Sequence, residues 1–444
     1  MSATMVFRIG CFSLTLLAAV QCLERCIDGR LCPNGNTCCP GGCISNNLGR
    51  GNGICCQDGI TGCGVGYRCG EDETIGVDSQ TCVATSHQTD PLLQRLPRYT
   101  LCRPAQNTLE NMHGFPVVDA VNKLAYYSSH GDVVADADLE DVDHILIAIH
   151  GATRNADDYF CAASTAASLQ RVYRNVLVVV PFFAEVSDGP ILLREGGTAL
   201  RWGDDADGPW RYGARSIHPI RISSFDAMDR LVETIFSRTT NAVMTIFGHS
   251  SGGQFVQRWS LLTSVDSSRW QAVVANPSSY AYLTPLRKIQ GIWQAVLPDS
   301  NCTRYNEWEW GLEDSETIDD SYKRRAIRNY TTEMIVDRFR SRHVTYMIGS
   351  LDRCNVSGVT TTGWCTSDGL ETTCMDDLQG SMRWERHFHY YESLTLVGID
   401  RRHHRRVVVQ GVGHDHSLMM QGPEAMSAIF PEKHESPSNG LALK

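Results

Sequence analysis

A serine framed by glycines follows a short apolar run of this chain. The letters GHSSG occupy positions 248–252, directly after the apolar, β-favouring residues 242–247, and a helix-like stretch comes next. A serine hydroxyl acts as a nucleophile only when it stands clear of the backbone beside a base, and a tight strand-to-helix turn achieves this if its neighbours lack bulky side chains. The pattern therefore predicts that Ser250 is a nucleophile. The competing interpretation is a buried serine at the start of a helix.

A carboxylate and a histidine follow two later apolar runs. The letters GSLD end at Asp352 after the run 344–348, and the letters GVGH end at His414 after the run 407–409. Acyl transfer needs such partners, because the serine must lose its proton during attack and the leaving group must regain one. Both positions are therefore candidates for the residues that serve Ser250.

Each of these two candidates has rivals in the sequence. Other carboxylates and one further histidine lie close enough along the chain to compete, namely Asp368, Asp376, Asp377 and His416. Asp352 is preferred because it alone follows a predicted strand closely. A metal site at 414–416 is a further alternative, but no other histidine or carboxylate spacing completes it.

Near-continuous apolar runs recur along the second part of the chain and would form the elements that position these residues. They lie at 144–149, 176–180, 243–247, 272–275, 344–348 and 407–409. Such runs, separated by connections long enough for helices, are typical of strands buried on both faces of a mostly parallel sheet. Residues 225–236 carry apolar side chains at helical spacing and predict the helix before Ser250. Because reactive groups gather at the carboxyl ends of parallel strands, this architecture would bring the three candidates together.

The region from about 98 to 430 resembles a secreted α/β hydrolase of the esterase, lipase and polyester-depolymerase kind. The resemblance rests on the letters AIHGATRNADDYF, GHSSGGQF, NPSSY, GSLD and GVGHDH, which occur in the order expected for this class. It implies an α/β-hydrolase fold, in which helices flank a mostly parallel central sheet. It also implies that Ser250 is the nucleophile, that His414 acts as general base and then general acid, and that Asp352 fixes the imidazole tautomer and stabilises the imidazolium.

The tetrahedral intermediate of such a reaction needs hydrogen-bond donors for its negatively charged oxygen. In this fold, backbone N–H groups supply them, one directly after the nucleophile and another from the loop after an earlier strand. We expect these donors from Ser251 and from the loop that contains Gly151 and Ala152. His150 would orient that loop rather than take a proton, and Asn155 would cap the next helix.

The first 22 residues have the pattern of a secretory signal peptide. Arg8 precedes an apolar core at 9–20, and small or short residues suit cleavage before Leu23. No later stretch approaches the roughly 18 uninterrupted apolar residues of a membrane span, so the sequence predicts a secreted, extracellular protein without a transmembrane segment. The alternative, a buried N-terminal strand, is disfavoured because a disulfide-style segment follows directly. Three sequons agree with export and predict glycosylation at Asn301, Asn329 and Asn355.

A cysteine-rich module is predicted at 23–82. It holds ten of the 16 cysteines that remain once Cys11 and Cys22 leave with the signal peptide, and it is dense in glycine without apolar periodicity. Such a segment cannot bury enough apolar surface to fold without cross-links, so five disulfides are expected, with zinc binding as the competing account. The letters CPNGNTCCPGGC and GICCQDG resemble granulin-like or other small cysteine-knot modules. Adhesion to a polysaccharide or cell surface, or a passive protease-resistant cap, are the two roles left open.

A polar linker at 83–97 would lead into a catalytic domain at 98–444. This domain carries six further cysteines, at positions 102, 161, 302, 354, 365 and 374. Their number is even, but six cysteines allow 15 pairings and the sequence does not choose among them. The last three lie in an insertion after Asp352. We expect one bridge to pin this insertion and to keep the acid loop in register with His414.

Two segments rich in tryptophan are predicted to lie near the site. The stretch 184–224 is rich in Gly and Asp, and its Trp202 and Trp210 would either wall a subsite or simply pack. The segment 302–312, which contains Trp308 and Trp310, is expected to form part of a cap over the pocket.

The charge balance excludes some classes of partner. The net charge is −10, which argues against nucleic acid or an anionic membrane, and the basic letters RRHHRR at 401–406 are interpreted as a solvated loop before a strand. The sequence thus predicts a secreted serine hydrolase that cleaves small-molecule or polymeric carboxylic esters through an acyl-enzyme, with no metal and no organic cofactor. A serine peptidase on the same fold and a non-catalytic carbohydrate- or surface-binding protein led by the cysteine-rich module are the alternatives.

Overall fold

The computed structural model contains two compact units, Met1–Pro97 and Arg98–Lys444. In the second unit it describes residues 112–135, 139–191, 193–204, 209–296, 302–316, 319–354 and 369–432, except for the side chain of residue 329. It also describes the backbone of two further strands in this unit, at 358–360 and 363–365. In the first unit it describes the backbone of eight short strands. Several predictions fall outside the described residues: the signal segment 1–22, the sequon residues Asn301 and Asn355, and the rival carboxylate Asp368.

The described strands of the first unit form successive antiparallel hairpins. β1 pairs with β2, β3 with β4, β5 with β6, and β7 with β8. Their bounds are β1 Leu23–Arg25, β2 Leu31–Pro33, β3 Asn36–Cys39, β4 Gly42–Ser45, β5 Ile54–Cys55, β6 Gly62–Cys63, β7 Tyr67–Glu71 and β8 Gln80–Ala84. The predicted disulfides of 23–82 depend on side chains outside the described residues, as does most of the predicted linker at 83–97.

Fifteen strands are described in the second unit. They are β9 His113–Pro116, β10 Asn122–Ser128, β11 His144–Ile149, β12 Val176–Phe182, β13 Ala184–Glu185, β14 Thr198–Ala199, β15 Arg201–Trp202, β16 Val243–His249, β17 Trp270–Ala275, β18 Leu286–Ile289, β19 Ile292–Ala295, β20 Val344–Gly349, β21 Gly358–Thr360, β22 Gly363–Cys365 and β23 His404–Val409. Nine of them build one sheet in the order β14-β10-β12-β11-β16-β17-β20-β23, with β9 paired to β10. From β12 to β23 every neighbouring pair is parallel, whereas β10 is antiparallel to β9 and β12.

Helices cover both faces of this sheet. Their bounds are α1 Ala156–Leu169, α2 Ser224–Ser237, α3 Ser251–Leu262, α4 Ser321–Asn329, α5 Thr332–Arg340, α6 Cys374–Asp377, α7 Arg383–Ser393, α8 His416–Gln421 and α9 Pro423–Ile429. One apolar core holds residues of α2, α3, α5 and α7, and the other holds residues of α1, α8 and α9. Within the part of the chain that the structure describes, no helix is long and apolar enough to cross a bilayer.

The predicted fold class is confirmed. All six apolar runs are strands, and the predicted helix at 225–236 is α2 with one more residue at each end. A mostly parallel sheet with helices on both faces and a serine turn after the central strand β16 is the α/β-hydrolase arrangement. The carboxyl ends of β11, β16, β20 and β23 therefore lie along one edge, where the loops with the candidate residues begin.

Two local predictions were wrong. The basic run 401–406 does not remain a loop throughout, because β23 begins at His404 and includes Arg405 and Arg406. Asn155 precedes α1 as predicted, but its side chain makes no hydrogen bond to the helix N-terminus and instead donates to Asp158 at 2.9 Å. The side-chain oxygen of Asn155, which a cap would have used, instead accepts a hydrogen bond from Thr153 Oγ1 at 2.7 Å.

Of the two roles left open for Trp202 and Trp210, the structure shows packing. Both side chains are fully buried, and their rings contact Phe183 with centroid distances of 5.4 and 5.3 Å. Trp308 is buried as well and donates its indole hydrogen to the carbonyl of Tyr212 at 2.8 Å. These rings hold the long connection between β12 and α2 against the core rather than lining a surface.

Candidate active site

Ser250 occupies a strained turn between β16 and α3. Its backbone has φ 59° and ψ −124°, a combination that non-glycine residues rarely adopt. Glycine is required on both sides of Ser250, because backbone atoms of neighbouring segments lie too close to leave room for a Cβ. A Cβ on Gly248 would lie 2.0 Å from the carbonyl oxygen of Gly252, and a Cβ on Gly252 would lie 2.2 Å from that of Ile149. The sequence pattern at 248–252 therefore encodes the packing that presents Ser250 at the edge of the sheet.

His414 and Asp352 meet in a hydrogen bond. The distance from His414 Nδ1 to Asp352 Oδ2 is 2.8 Å, and both side chains are buried. The acid and histidine loops are further joined where Leu351 N–H donates to the carbonyl of Val412 at 2.8 Å and Gly411 N–H donates to Ser350 Oγ at 2.8 Å. The structure thus brings together two candidates that lie 62 residues apart in the chain.

The surroundings of Asp352 favour its ionised form. Burial alone would raise the pKa of Asp352, but the hydrogen bond and charge of His414, the Arg383 guanidinium and an amide hydrogen bond lower it below its usual value. Arg383 Nη1 lies 3.7 Å from Asp352 Oδ1. A carboxylate held ionised can keep the Nδ1 hydrogen of His414 in place and leave Nε2 free to accept a proton.

The rival residues are engaged elsewhere. Asp376 accepts a hydrogen bond from the indole of Trp310 at 2.8 Å, and Asp377 pairs with Arg386 at 3.2 Å. His416 stacks on Tyr159 with ring centroids 4.2 Å apart. Among the described candidates, only Asp352 and His414 are therefore bonded to each other in the way a serine hydrolase needs.

The turn at Ser250 and the loop at His414 are direct neighbours. His249, which precedes Ser250, has its ring centroid 4.5 Å from that of His414. Burial, and then the positive charges that His414, His416 and Arg383 can carry, keep the pKa of His249 well below its usual value. His249 is therefore neutral at neutral pH and would not repel a positive charge on His414.

The loop after β11 lies beside Ser250. A Cβ placed on Gly151 would be 3.5 Å from the Cβ of Ser250, an ordinary contact distance, and a tighter 3.1 Å from the hydroxyl oxygen of Tyr159. Ser251 begins α3, where the first backbone N–H groups lack partners within the helix. The predicted oxyanion donors, Gly151, Ala152 and Ser251, thus belong to segments that flank Ser250 on two sides.

His150 holds this loop as a neutral residue. Its Nε2 accepts a hydrogen bond from Phe183 N–H at 3.0 Å, and its Nδ1 donates to the carbonyl of Gly151 at 2.9 Å. Burial lowers the pKa of His150 to about 4, so the ring carries no charge at neutral pH. These contacts agree with the expectation that His150 orients the loop.

Arg154 fixes the other end of the loop. Its guanidinium donates to the carbonyl of Ala152 at 3.1 Å and pairs with Glu185 at 2.9 Å and Asp188 at 2.8 Å. Burial raises the pKa of Glu185 to about 7, although Arg154 opposes this rise. Glu185 therefore gains its negative charge beside Arg154 as the pH rises through about 7.

Asn276 is a site residue that the sequence analysis missed. It follows β17 with φ 47°, and its side-chain amide donates to Asp352 Oδ2 at 2.7 Å and to the carbonyl of Gly413 at 3.1 Å. Its side-chain oxygen accepts from Gly349 N–H at 3.1 Å. One buried amide thus joins the acid loop, the histidine loop and the end of β20. The letters NPSSY were part of the resemblance, and the position of Asn276 at a strand end was the available signal.

Replacing Asn276 by alanine is expected to lower kcat for ester hydrolysis about 10- to 100-fold. The change removes three hydrogen bonds, one of them to a charged group, and each such bond contributes on the order of 1 to 3 kcal/mol. Steady-state kinetics, normalised by titration of reactive serine, would measure the effect. Asn175→Ala is the matched control, because Asn175 accepts from His130 at the amino end of the sheet. An unchanged kcat in the Asn276 variant would contradict this role.

Tyr159 connects three of the site segments. Its phenol hydrogen-bonds His249 Nδ1 at 3.0 Å, and its ring stacks on His416. Burial raises the pKa of Tyr159, and a hydrogen bond from the Gly151 backbone opposes the rise. Tyr159 therefore ties α1 to the turn before Ser250 and to the segment that follows His414.

Replacing Tyr159 by phenylalanine is expected to lower kcat about five-fold with little change in KM. The ring still stacks on His416, but one buried hydrogen bond of about 1 kcal/mol is lost and His249 is no longer held. Tyr173→Phe is the control, because its hydroxyl bonds Pro431 far from Ser250. If both substitutions change kcat equally, the effect of Tyr159 is a general effect on stability.

A disulfide and a buried charge cluster support the far side of the nucleophile helix. Cys302 is bonded to Cys374, and Cys161 and Cys354 are disulfide-bonded as well. The two segments that the Cys302–Cys374 bridge joins carry Glu309 and Glu371, both of which pair with Arg211 at 3.0 Å. The expectation of a bridge that pins the insertion after Asp352 therefore has a physical counterpart at Cys374.

Within the described residues, no three histidine, cysteine, aspartate or glutamate side chains are arranged to hold a metal ion. Of the three sequons, only Asn329 belongs to a described element, and it ends α4.

Comparisons with known proteins find distant similarities among solved structures and no family. No protein-family model matches the chain, and no curated protein matches it either. Among solved structures, LpqC, a poly(3-hydroxybutyrate) depolymerase from Bordetella parapertussis, is 19% identical, with a TM-score of 0.44 over 71% of this chain and 85% of that one. Poly(aspartic acid) hydrolase-1 from Sphingomonas sp. KT-1 is 19% identical, with a TM-score of 0.45 over 72% and 98%. Est1E from Butyrivibrio proteoclasticus is 12% identical, with a TM-score of 0.32 over 69% and 92%. Identities this low say nothing about the substrate.

Proposed function

We propose that this protein is a serine hydrolase that cleaves carboxylic esters through an acyl-enzyme intermediate. The observation that carries the proposal is the 2.8 Å hydrogen bond between His414 and Asp352, at the same sheet edge as the strained turn of Ser250. Strain of this kind persists only where the surroundings hold it, and it is concentrated at functional sites. The substrate would be a small-molecule or polymeric ester.

In the first half of the reaction, Ser250 Oγ attacks the ester carbonyl while His414 Nε2 takes its proton. Asp352 holds the opposite nitrogen of the ring and stabilises the positive charge that forms. The carbonyl oxygen becomes negative and is bound by the N–H groups of Ser251 and the 151–152 loop. The intermediate then collapses, the alcohol leaves with the proton from His414, and the acyl group stays on Ser250.

In the second half, water replaces the alcohol. His414 takes a proton from this water, which attacks the acyl carbon, and the same N–H groups bind the oxygen again. Collapse returns the proton from His414 to Ser250 and releases the carboxylic acid. His249 and His150 stay neutral throughout because burial lowers their pKa values, so they leave the charge on His414 unopposed.

An ester panel tests the proposal. The full chain would be assayed with nitrophenyl esters of rising acyl length beside peptide anilides, and would be treated with a fluorophosphonate probe. We expect ester turnover, a preferred acyl length and covalent labelling at a single serine. Turnover of the anilides with no ester turnover would replace the proposal by the peptidase alternative. Absence of both turnover and labelling would favour a non-catalytic binding protein.

We also propose that the protein is exported, loses residues 1–22 and is glycosylated at Asn301, Asn329 and Asn355. The apolar core after Arg8, the cysteine content and the three sequons support this. Sequencing of the N-terminus of secreted protein, together with glycosidase treatment, tests it. Retention of the full chain inside the cell would refute it.

A further inference from the structure

A continuous row of arginine and aromatic side chains runs along α7 and the first half of β23. The guanidinium of Arg353 lies 3.8 Å from the ring centroid of Trp384, whose ring is 4.7 Å from that of Phe388. Arg406 lies 4.2 Å from the Phe388 ring and 5.2 Å from the Tyr391 ring, and Arg401 lies 5.9 Å from the Tyr391 ring. We call these six residues the arginine–aromatic row: Arg353, Trp384, Phe388, Arg406, Tyr391 and Arg401.

The arginines of this row form an uncompensated positive surface. Arg353, Arg401 and Arg406 are exposed, as is the adjacent Arg405. Among the described residues, the nearby carboxylate Asp400 pairs with Arg402 at 3.1 Å, and no carboxylate pairs with the other four arginines. The whole chain has 50 acidic and 40 basic residues, so a positive strip of this kind is contrary to its overall charge. A specific negatively charged partner accounts for it better than general solubility does.

The guanidinium groups are held in place before any partner arrives. Arg353 Nε donates to the carbonyl of Ser350 at 2.7 Å, and the guanidinium carbons of Arg353 and Arg406 lie over the rings of Trp384 and Phe388. A stacked guanidinium still presents N–H groups at its edge, which can bind a carboxylate or a sulfate with two hydrogen bonds. Because these side chains lose little freedom on binding, the cost of association is reduced.

Protection of a sheet edge explains only part of this surface. β23 ends the strand order of the main sheet, and Arg405 and Arg406 on it would discourage pairing with another chain. Arg353 and Arg401 lie outside β23, yet they extend the same row. The row also begins at the residue after Asp352, so it starts beside the candidate active site.

We propose that the arginine–aromatic row binds the chain of an acidic polysaccharide, with carboxylate or sulfate groups paired to Arg353, Arg401 and Arg406. A linear polymer suits a linear row, and the half-buried rings of Trp384 and Phe388 offer apolar contact to sugar rings, whereas Tyr391 is buried and only supports the arginines. Nucleic acid is the other class of linear polyanion, and tighter binding to it is one of the outcomes that the test below measures. Binding is independent of catalysis. A bound polymer that carries ester groups would also bring those esters close to Ser250, and this further consequence rests on the proposed function.

Affinity electrophoresis of the full chain through gels containing polygalacturonate, heparin or neutral dextran would test the proposal. We expect retardation by at least one of the acidic polymers at 50 mM salt, weakening at 200 mM salt, and none by dextran. The double substitution Arg353→Gln/Arg406→Gln should weaken binding about ten-fold or more, since two charge-assisted pairs are lost together. The matched control, Arg171→Gln/Arg174→Gln, removes two exposed arginines between α1 and β12 and should change binding less than two-fold.

Further measurements keep the outcomes distinct. Melting temperatures identify any variant that fails to fold, and in that case the single substitution Arg401→Gln, at the end of the row with the longest ring distance, replaces the double one. Ser250→Ala should bind the polymers as the wild type does, so a failure of the esterase proposal leaves this test intact. Equal weakening in the control pair, no binding to either acidic polymer, or tighter binding to single-stranded DNA would each overturn the proposal.

Discussion

Replacing Ser250 by alanine is expected to lower kcat for nitrophenyl esters by at least about 10⁴-fold and to abolish fluorophosphonate labelling. The reaction would lose the atom that forms the acyl-enzyme, and no second nucleophile stands in its place. His249, the preceding side chain, is neutral, buried and turned toward Tyr159. Residual turnover would arise only from water bound near the N–H groups of Ser251 and Ala152.

The control for this substitution is a measurement of thermal stability, which shows whether the variant still folds. Alanine fits the turn no worse than serine, because the strain at φ 59° belongs to the backbone and a methyl group needs less room than a hydroxymethyl group. The melting temperature should therefore stay within a few degrees of the wild-type value. Labelling that persists in Ser250→Ala would place the nucleophile elsewhere and would end the assignment of all three residues.

The main sheet and the candidate site could be predicted because their signals are local. The glycines at 248 and 252 mark a turn in which a Cβ cannot fit, and buried parallel strands such as β11 and β16 read as continuous apolar runs. Strand ends then indicated where Asp352 and His414 would lie. Pattern and chain order were sufficient here, since parallel strands bring their carboxyl ends to one edge whatever the length of the connections between them.

The residues that were missed act through contacts that no local pattern contains. Asn276 bonds partners 76 and 137 positions later in the chain, and Tyr159 bonds a residue 90 positions later. Both side chains also fit simpler descriptions, a polar residue at a strand end and an aromatic residue in a helix. For Trp202 and Trp210 the sequence left two roles open, and tertiary packing decided between them by burying both rings.

Hydrophobic periodicity in the sequence likewise did not predict the antiparallel edge of the main sheet. β10 carries buried residues at 123–126, but its sequence NKLAYYS lacks a clear run of β-branched residues. Its place is decided by pairing with β12 and β9. At the other edge, arginines hid the start of β23, since their heads reach solvent while the backbone pairs with β20.

Replacing Asp352 by asparagine is expected to lower kcat about 10³- to 10⁴-fold. The amide would keep the size of the side chain, but its NH₂ group would donate to His414 Nδ1, so the ring proton would move to Nε2. A ring protonated at Nε2 cannot accept the proton of Ser250. The positive charge that forms on His414 would also lose its carboxylate, while Arg383 would remain 3.7 Å from the substituted group.

Asp377→Asn is the matched control for this substitution. Asp377 was a rival candidate, it is exposed, and it pairs with Arg386 rather than with a histidine. We expect its kcat to change less than two-fold, because the Asp377 carboxylate is exposed and takes no part in the hydrogen bond to His414. The Asp352 variant should keep nearly full fluorophosphonate titre over long incubation while losing turnover, because Ser250 is still present but is deprotonated slowly. A kcat within ten-fold of wild type in Asp352→Asn would show that another carboxylate serves His414, and it would remove the hydrogen bond on which the proposed function rests.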